Sequence, residues 1–176
     1  MPLVCFSRQG IPHFEVGGKK TMSFTSLIEQ YRTAYQALRK PIEGLSAEQL
    51  TMKPQPEKWS ITEIILHLLD SELHTSLRIK KILAEENPKL TPFDQDTWAT
   101  RLKYQSLDAR AALLAFGLLR ELNGELLMHL SDEQWNRTGV HETRGVISVK
   151  DLIQQAIEHG ENHLRQIQAI RSQLNR

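Results

Sequence analysis

Apolar residues recur at intervals of three and four along four long stretches of this 176-residue chain. This spacing is typical of α-helices that bury one face. The first stretch begins at Phe24 and continues to Leu45, with Pro41 and Gly44 as stop signals. No stretch alternates apolar and polar residues for long enough to predict a strand. An all-α fold is predicted, preceded by an N-terminal arm or disordered tail at residues 1–23.

The second helix is predicted from its N-terminal signal. Ser60 is followed three residues later by Glu63, so the hydroxyl and the carboxylate can satisfy each other's backbone amides. The helical pattern then continues to Asn87. Residues 87–106 contain two prolines and no sustained period, which predicts a long connection that crosses the bundle.

The third and fourth helices complete the set. The fourth is predicted to start after Ser148, with Asp151 as a second capping signal, and to continue almost to the C-terminus. The third is predicted over about 107–130. Its core-facing residues are assigned as Leu114, Leu118, Leu122 and Leu126.

A weak internal repeat supports this division of the chain. "LSAEQL" at 45–50 follows the first helix, and "LSDEQW" at 130–135 follows the third. Two similar helical hairpins are expected to pack as a four-helix bundle, and the length suits one domain, over residues 24–176. Trp59 and Trp135 are interpreted as residues that pack these hairpins.

Charge and cysteine content exclude several classes of protein. Lys and Arg total 22 against 21 for Asp and Glu, so there is little electrostatic reason to expect nucleic acid or an anionic membrane as a partner. Cys5 is the single cysteine, which excludes a disulfide framework. The chain also has no basic leader and no run long enough to span a membrane. A cytoplasmic location is expected.

Two histidines interrupt the apolar stripe of the fourth helix. His159 and His163 are four residues apart, so their rings lie on one face. Burying a polar group without a hydrogen bond costs about 1–3 kcal/mol, so each ring needs a partner. A hydrogen-bonded pair in the core and two ligands of one metal ion are both consistent with this spacing.

His67 is the best candidate for a third ligand, because it lies within an apolar run of the second helix. At about 1.5 Å per residue it lies about 10 Å from the start of that helix, while His159 and His163 lie about 16 and 22 Å along the fourth. If the two helices run antiparallel, these distances place the three histidines at nearly the same height along the bundle. His74, seven residues after His67, is the reserve ligand or a residue that supports the ligands.

The remaining histidines give weaker signals. His129 falls in the last turn of the third helix, where a cation complements the helix dipole. His13 and His141 lie in segments predicted to be irregular. Asp70 and Glu63 could act as a base or an orienting group, but the sequence does not select a catalytic residue.

"EKWSITEIILHLLDSE" followed by a terminal "HGENHLRQI" resembles the DinB-like superfamily, which includes YfiT-like metal-dependent enzymes. The resemblance covers about residues 24–174. It implies an up-down-down-up four-helix bundle in which His67, His159 and His163 bind nickel or zinc. It also implies thiol-S-transferase or hydrolase activity on a small molecule, with a low-molecular-weight thiol as a candidate partner.

The main hypothesis is therefore a metalloenzyme whose three histidines hold a divalent transition-metal ion that activates a thiol or a water molecule. The alternative is a non-catalytic helical bundle, a binding or stress-associated protein with a structural metal or none. A homodimer is a candidate assembly, because the leading arm could cover the site or a dimer surface.

Overall fold

Most of the secondary structure in this computed structural model is helical, and the structure describes residues 23–174. The predicted arm at 1–23 lies outside the described residues, apart from Ser23, which caps the first helix. In chain order the elements are α1 (Phe24–Arg39), α2 (Ala47–Thr51), α3 (Ile61–Ala84), β1 (Lys89–Leu90), α4 (Gln95–Arg101), α5 (Ala109–Met128), α6 (Asp132–Trp135), β2 (Thr138–His141), β3 (Gly145–Ser148) and α7 (Val149–Leu174).

Both capping signals start the helices for which they were predicted. The Glu63 amide donates to Ser60 Oγ over 3.2 Å, and the Ser60 amide donates to the Glu63 carboxylate over 2.8 Å. At the start of α7, Asp151 and Ser148 make the same reciprocal pair, at 3.1 and 3.0 Å. These bonds satisfy amides that have no partner within the helix. They fix where α3 and α7 begin, and hence the level at which each histidine lies.

Two apolar clusters define the direction of each long helix. One lies where α3 and α5 begin and α1 and α7 end; its buried members include Leu38, Ile61, Ile64, Leu113, Phe116, Ile167 and Ile170. The other lies at the opposite end of the bundle and includes Leu27, Tyr31, Ile79, Ile82, Leu127, Val149 and Leu152. Helices α1 and α7 therefore run one way and α3 and α5 the other. The up-down-down-up four-helix bundle is confirmed.

The internal repeat corresponds to two short helices. Ser46 caps α2 and Ser131 caps α6, and each is paired with a glutamine three residues later, Gln49 or Gln134, in a capping box. Each short helix lies in the connection between two long antiparallel helices. The two hairpins, α1 with α3 and α5 with α7, thus share a connection of the same design.

The expectation of no strands was wrong. A small sheet has the order β1-β2-β3, in which β1 is parallel to β2 and β2 is antiparallel to β3. Residues of β2 alternate between exposed and buried, but β2 and β3 have only four residues each and β1 has two. Such short strands give too little alternation to detect in a sequence. Gly145, with a φ of 74°, closes the β2–β3 hairpin.

The face of α5 that was predicted to be buried was also wrong. Leu114, Leu118 and Leu122 are between 53% and 62% exposed, and of the four leucines assigned to the core face only Leu126 packs against a core cluster, partly buried. The buried face instead carries Arg120, whose Nε donates to the Glu72 carboxylate over 2.8 Å. Because this ion pair lies inside the bundle, the helix turns a charged residue inward and leaves leucines at the surface. Residue type alone favours the opposite orientation.

The connection between α3 and α5 crosses the bundle, as predicted for residues 87–106. It contains β1, α4 and a 3₁₀ turn at Tyr104–Ser106, and it brings Phe93 against α3. Across residues 23–174, each helix is too short or too polar to cross a membrane.

Candidate metal centre

His67 lies in the second turn of α3 and is 3% exposed. Ile64, Ile65, Leu66 and Leu68 around it are buried, so the ring is held at one depth and faces α7. His67 Nε2 lies 2.9 Å from His159 Nε2. The antiparallel arrangement of α3 and α7 therefore brings the first predicted ligand to the second.

His159 and His163 lie one turn apart on α7, and both are partly buried. His159 Nε2 lies 3.0 Å from His163 Nε2. One nitrogen from each of His67, His159 and His163 lies within 4.8 Å of the others, an arrangement that could hold a metal ion. The structure thus brings together the three residues selected from the sequence.

Hydrogen bonding among the three rings cannot satisfy all of these nitrogens. A neutral ring nitrogen carries either one proton or one lone pair, so His159 Nε2 makes one well-aligned bond although it faces two other Nε2 atoms. A metal ion accepts all three lone pairs. Two nitrogen ligands of a tetrahedral ion at 2.0–2.1 Å lie about 3.3 Å apart, close to the separations observed here. The donor set fits a divalent transition metal.

Burial keeps these rings uncharged. It lowers the pKa of His67 to about 3, with smaller effects from His159 and His163. Burial also lowers the pKa of His159 to about 4, assisted by His163 and Arg120. The pKa of His163 is lowered by burial, against a hydrogen bond to Gln166 that raises it. Each ring is therefore neutral at pH 7 and has a lone pair to offer.

The other ring nitrogens differ in their surroundings. His163 Nδ1 lies 2.9 Å from Gln166 Oε1, so an Nδ1–H that donates to this oxygen leaves the lone pair on Nε2. His67 Nδ1 is buried without a hydrogen-bond partner among the described residues. Gln166 therefore orients one candidate ligand, whereas the Nδ1 side of His67 is held by packing.

Aromatic rings and two cavities flank the three histidines. The Trp59 ring lies 5.0 Å from the His67 ring and stacks on His163 at 6.4 Å, and Phe93 lies 6.2 Å from His67. A cavity of about 530 Å³, here called the Trp59 cavity, reaches His163. A second cavity of about 370 Å³, here called the Arg78 cavity, reaches His67 and His159. Small molecules could approach from either side.

Three other predicted candidates lie apart from this group. His74 stacks on Phe93 at 4.3 Å and is not one of the three converging residues. Glu63 caps α3 and pairs with Lys53 at 3.1 Å. Asp70 accepts a hydrogen bond from the Tyr104 hydroxyl. Each carboxylate therefore has a structural partner, and neither forms a hydrogen bond or an ion pair with the three converging histidines.

The remaining histidines occupy different environments. His129 is the exposed residue that ends α5, as its predicted position implies. His141 was expected in an irregular segment, but it is a buried residue of β2, because a strand of four residues was not detected. His13 lies outside the described residues.

Sequence reasoning also missed residues that line the site. Trp59 was interpreted as packing alone, although its place directly before the cap of α3 puts it beside the histidines. Phe93 and Arg78 gave no usable signal, because the first lies in the crossing connection and the second resembles a surface arginine of an amphipathic helix. Only the tertiary structure brings them to the cavities.

Comparisons with known proteins agree with this fold. A protein of Oceanobacillus iheyensis named "Putative metal-dependent hydrolase" is 29% identical over 91% of this chain and 93% of its own length. YfiT of Bacillus subtilis, with the same description in its name, is 28% identical over 74% of each chain. A solved structure of YfiT, described as having an unusual four-helix bundle topology, superposes with a TM-score of 0.82 at 22% identity, covering 92% of this chain and 94% of the other.

The family assignment follows from a separate match over most of the chain. The sequence profile of the DinB superfamily matches residues 30–167, which include all three converging histidines. This chain belongs to the DinB superfamily.

Proposed function

We propose that this protein is a metal-dependent hydrolase in which His67, His159 and His163 hold one divalent transition-metal ion. The observation that carries the proposal is the convergence of three neutral imidazole nitrogens between two cavities. Three protein ligands leave coordination positions open, which is the pattern of a catalytic site. The names of the two relatives, metal-dependent hydrolases, support the same reaction class.

The chain's own residues would hold and shield the reacting groups. A bound divalent ion lowers the pKa of a coordinated water or thiol and polarises a carbonyl or phosphoryl oxygen. Trp59 and Phe93 place apolar ring surface beside His67. Ser71 Oγ, 3.5 Å from His67 Nε2, can orient an incoming group by hydrogen bonding. Gln166 holds the His163 ring in its ligating orientation.

Thiol transfer is the second candidate, and one observation favours it. Among the described residues, no carboxylate forms a hydrogen bond or ion pair with the three histidines, so none is held directly beside them as a general base for water. A free thiol has a pKa of about 8.5, against about 15.7 for bulk water, so it needs less help to ionise. A low-molecular-weight thiol would then be a co-substrate.

Imidazole ligands suit several metals, and zinc and nickel are the two that we propose. A cytoplasmic location, a domain over residues 24–176 and a homodimer stay predictions.

The test starts with elemental analysis of protein that carries no polyhistidine tag. About one zinc or nickel ion per chain is expected, after purification or after incubation with each metal. Absence of uptake would contradict the proposal.

The loaded protein is then given an aryl acetate ester in one assay, and cysteine with chlorodinitrobenzene in another. Metal-dependent ester cleavage supports the hydrolase, and metal-dependent thiol transfer supports the second candidate. Stoichiometric metal without turnover in either assay supports a structural metal in a non-catalytic bundle.

A further inference from the structure

We infer that the Arg78 cavity binds the anionic group, a carboxylate or a phosphate, of an elongated small-molecule substrate whose reactive centre lies at the three histidines. This inference rests on the proposed function, because it names the substrate class of that same site. Arg78 would receive the anion, and Arg144 would contribute from the rim of the cavity.

Arg78 is a buried charge without a counter-ion. It is 8% exposed, and its Nη2 donates to the Thr91 carbonyl over 2.6 Å. Its Nε is buried without a partner, and no carboxylate of residues 23–174 lies within ion-pair distance of it. Removing a charge from water without pairing it is costly. An anion in the cavity would supply the missing partner.

Arg120, the other buried arginine of the described residues, shows how a guanidinium group with a structural role is paired in this bundle. Arg120 is 1% exposed, and its Nε donates to the Glu72 carboxylate over 2.8 Å. Its two Nη atoms donate to the carbonyls of Tyr31 and Ala156, at 3.0 and 2.8 Å. Arg120 thus uses all three nitrogens within the protein, whereas Arg78 uses one. The difference points to a partner for Arg78 that residues 23–174 do not supply.

The lining of the Arg78 cavity has an excess of positive charge. Arg144, in the turn between β2 and β3, lines it and is held by a 2.8 Å bond from its Nη1 to Gln155 Oε1. The one acidic side chain among the lining residues is Glu158, which is exposed and accepts a bond from Gln154. Two guanidinium groups therefore face one solvated carboxylate. Guanidinium groups bind carboxylates and phosphates through paired N–H donors.

His141 places another unpaired donor beside Arg78. Its Nδ1 accepts from the Thr143 amide at 3.3 Å, so the ring proton lies on Nε2, which is buried without a partner. The parallel pairing of β1 and β2 sets His141 opposite Leu90, next to the Thr91 carbonyl that Arg78 contacts. Among the described residues, Arg78 Nε and His141 Nε2 are thus two buried donors without acceptors near β1, although His141 does not itself line the Arg78 cavity.

The shape of the cavity defines the length of the ligand. His67, Ser71, Thr75 and Arg78 line it from one face of α3, and eleven residues of helix span about 16 Å. A volume of about 370 Å³ is within the range of small-molecule sites. A substrate with its anionic group several bonds from the reactive atom would fit, whereas a compact ester without charge would use only the histidine end.

Calorimetric titration of the metal-free, full-length protein with inorganic phosphate and with succinate, at constant ionic strength, tests this inference. One site per chain is expected for the preferred anion, and the stronger of the two titrations identifies phosphate or carboxylate as its chemistry. Arg78→Gln should weaken binding about tenfold or more, because a charge-assisted pair is lost. Arg144→Gln should weaken it less. Arg101→Gln, which removes an exposed arginine outside the cavity, should have no effect.

Folding of the variants is checked by thermal melts. If Arg78→Gln fails to fold, the test uses the NMR signal of the Arg78 Nε–H in wild-type protein instead of the variant. That signal should shift on titration with the preferred anion. No binding of either anion, equal binding by Arg78→Gln, or an Nε–H signal that does not move would overturn the inference.

The two proposals fail separately. Uptake of one metal ion without anion binding would reject the anion site and leave the proposed function standing. Anion binding that depends on Arg78, in a protein that takes up no metal, would reject the proposed function and leave the anion site standing.

Discussion

The two ring nitrogens of His67 have opposite surroundings: Nε2 faces His159, and Nδ1 is buried without a hydrogen-bond partner in the described part of the chain. A histidine that ligates a metal usually donates its other N–H to an acceptor, which fixes the ring and raises its basicity. His163 has such an acceptor in Gln166, whereas His67 has none within residues 23–174. At the scale of single residues, the candidate ligands therefore differ in how firmly they are oriented.

Removing a ligand should weaken metal binding more than removing a neighbouring histidine does. Replacing an outer partner of a metal ligand costs about 10–100-fold in affinity, so removing a ligand should cost more. We expect His67→Ala to weaken zinc binding by more than about 100-fold. His74→Ala should weaken it less than about tenfold, because His74 acts only through Phe93. Competition with a chromogenic chelator measures both. The reverse ranking would show that His74 is the ligand.

Gln166 allows a test of ligand orientation. Gln166→Ala should weaken zinc binding about 10–100-fold, because His163 loses the acceptor that fixes its tautomer. Gln168→Ala, on the exposed side of the same helix, is the matched control and should bind zinc as wild type does. Equal affinities for all three proteins would mean that packing against Trp59 is sufficient to hold the ring.

At the scale of helices, α5 shows how a buried ion pair changes the orientation of an element. Arg120 lies between Glu72 and the rings of Tyr31 and Phe116, with its guanidinium carbon 4.4 and 4.5 Å from their centroids. The Tyr31 hydroxyl also donates to Glu72. This polar cluster must face the core as a unit, because an unpaired member would carry a large desolvation cost.

Two leucines of α5 give a matched test of that orientation. Leu113 is 3% exposed and Leu118 is 58% exposed. Leu113→Ala should lower the free energy of unfolding by about 2–5 kcal/mol, the usual cost of a cavity in a packed core. Leu118→Ala should change it by about 0.5 kcal/mol or less. Urea denaturation measures both. A larger loss for Leu118→Ala would restore the orientation expected from the sequence.

What the sequence could predict depended on the range of the interaction. The starts of α3 and α7 were predicted because Ser60 with Glu63 and Ser148 with Asp151 are local pairs. The sheet, the core face of α5 and the position of Arg78 at a cavity were not, because each depends on residues far apart in the chain. Local capping fixes where α3 and α7 begin and hence how far along each helix the histidines lie. Contacts between residues far apart in the chain decide which side chains surround them.

At the scale of the whole bundle, the site depends on topology. The crossing connection lets α3 and α5 run in the same direction, so both lie antiparallel to α7. The early turns of α3 then meet the middle of α7, where His159 and His163 lie. Apolar clusters at both ends of the bundle pack the four helices without any contribution from the histidines. The fold should therefore form without metal and gain stability from it.

Acid should destabilise the metal-free protein from about pH 6.5 downward. An unfolded histidine has a pKa of about 6.5. Folding lowers the pKa of His67 to about 3 and of His159 to about 4. Below 6.5 the unfolded chain therefore binds more protons than the folded one, so stability falls with pH until the folded pKa values are reached. In a His159→Ala, His163→Ala double variant, the slope of melting temperature against pH should be shallower.

The same lowered pKa values set the pH range of metal stabilisation. Zinc at about 100 times its dissociation constant should raise the free energy of unfolding by about 2.7 kcal/mol. For a chain of this size, that corresponds to roughly 5–11 °C in melting temperature. The folded His67 and His159 are still neutral at pH 5, and burial also lowers the pKa of His163, so the increment should persist below the usual histidine pKa of about 6.5 and should be lost near pH 3. Melts of metal-free and zinc-saturated protein at each pH measure it. The double variant should keep its helical circular dichroism and lose the increment. An increment of equal size in that variant would mean that the ion binds elsewhere, and an increment already lost at pH 6 would mean that burial does not hold the three rings neutral.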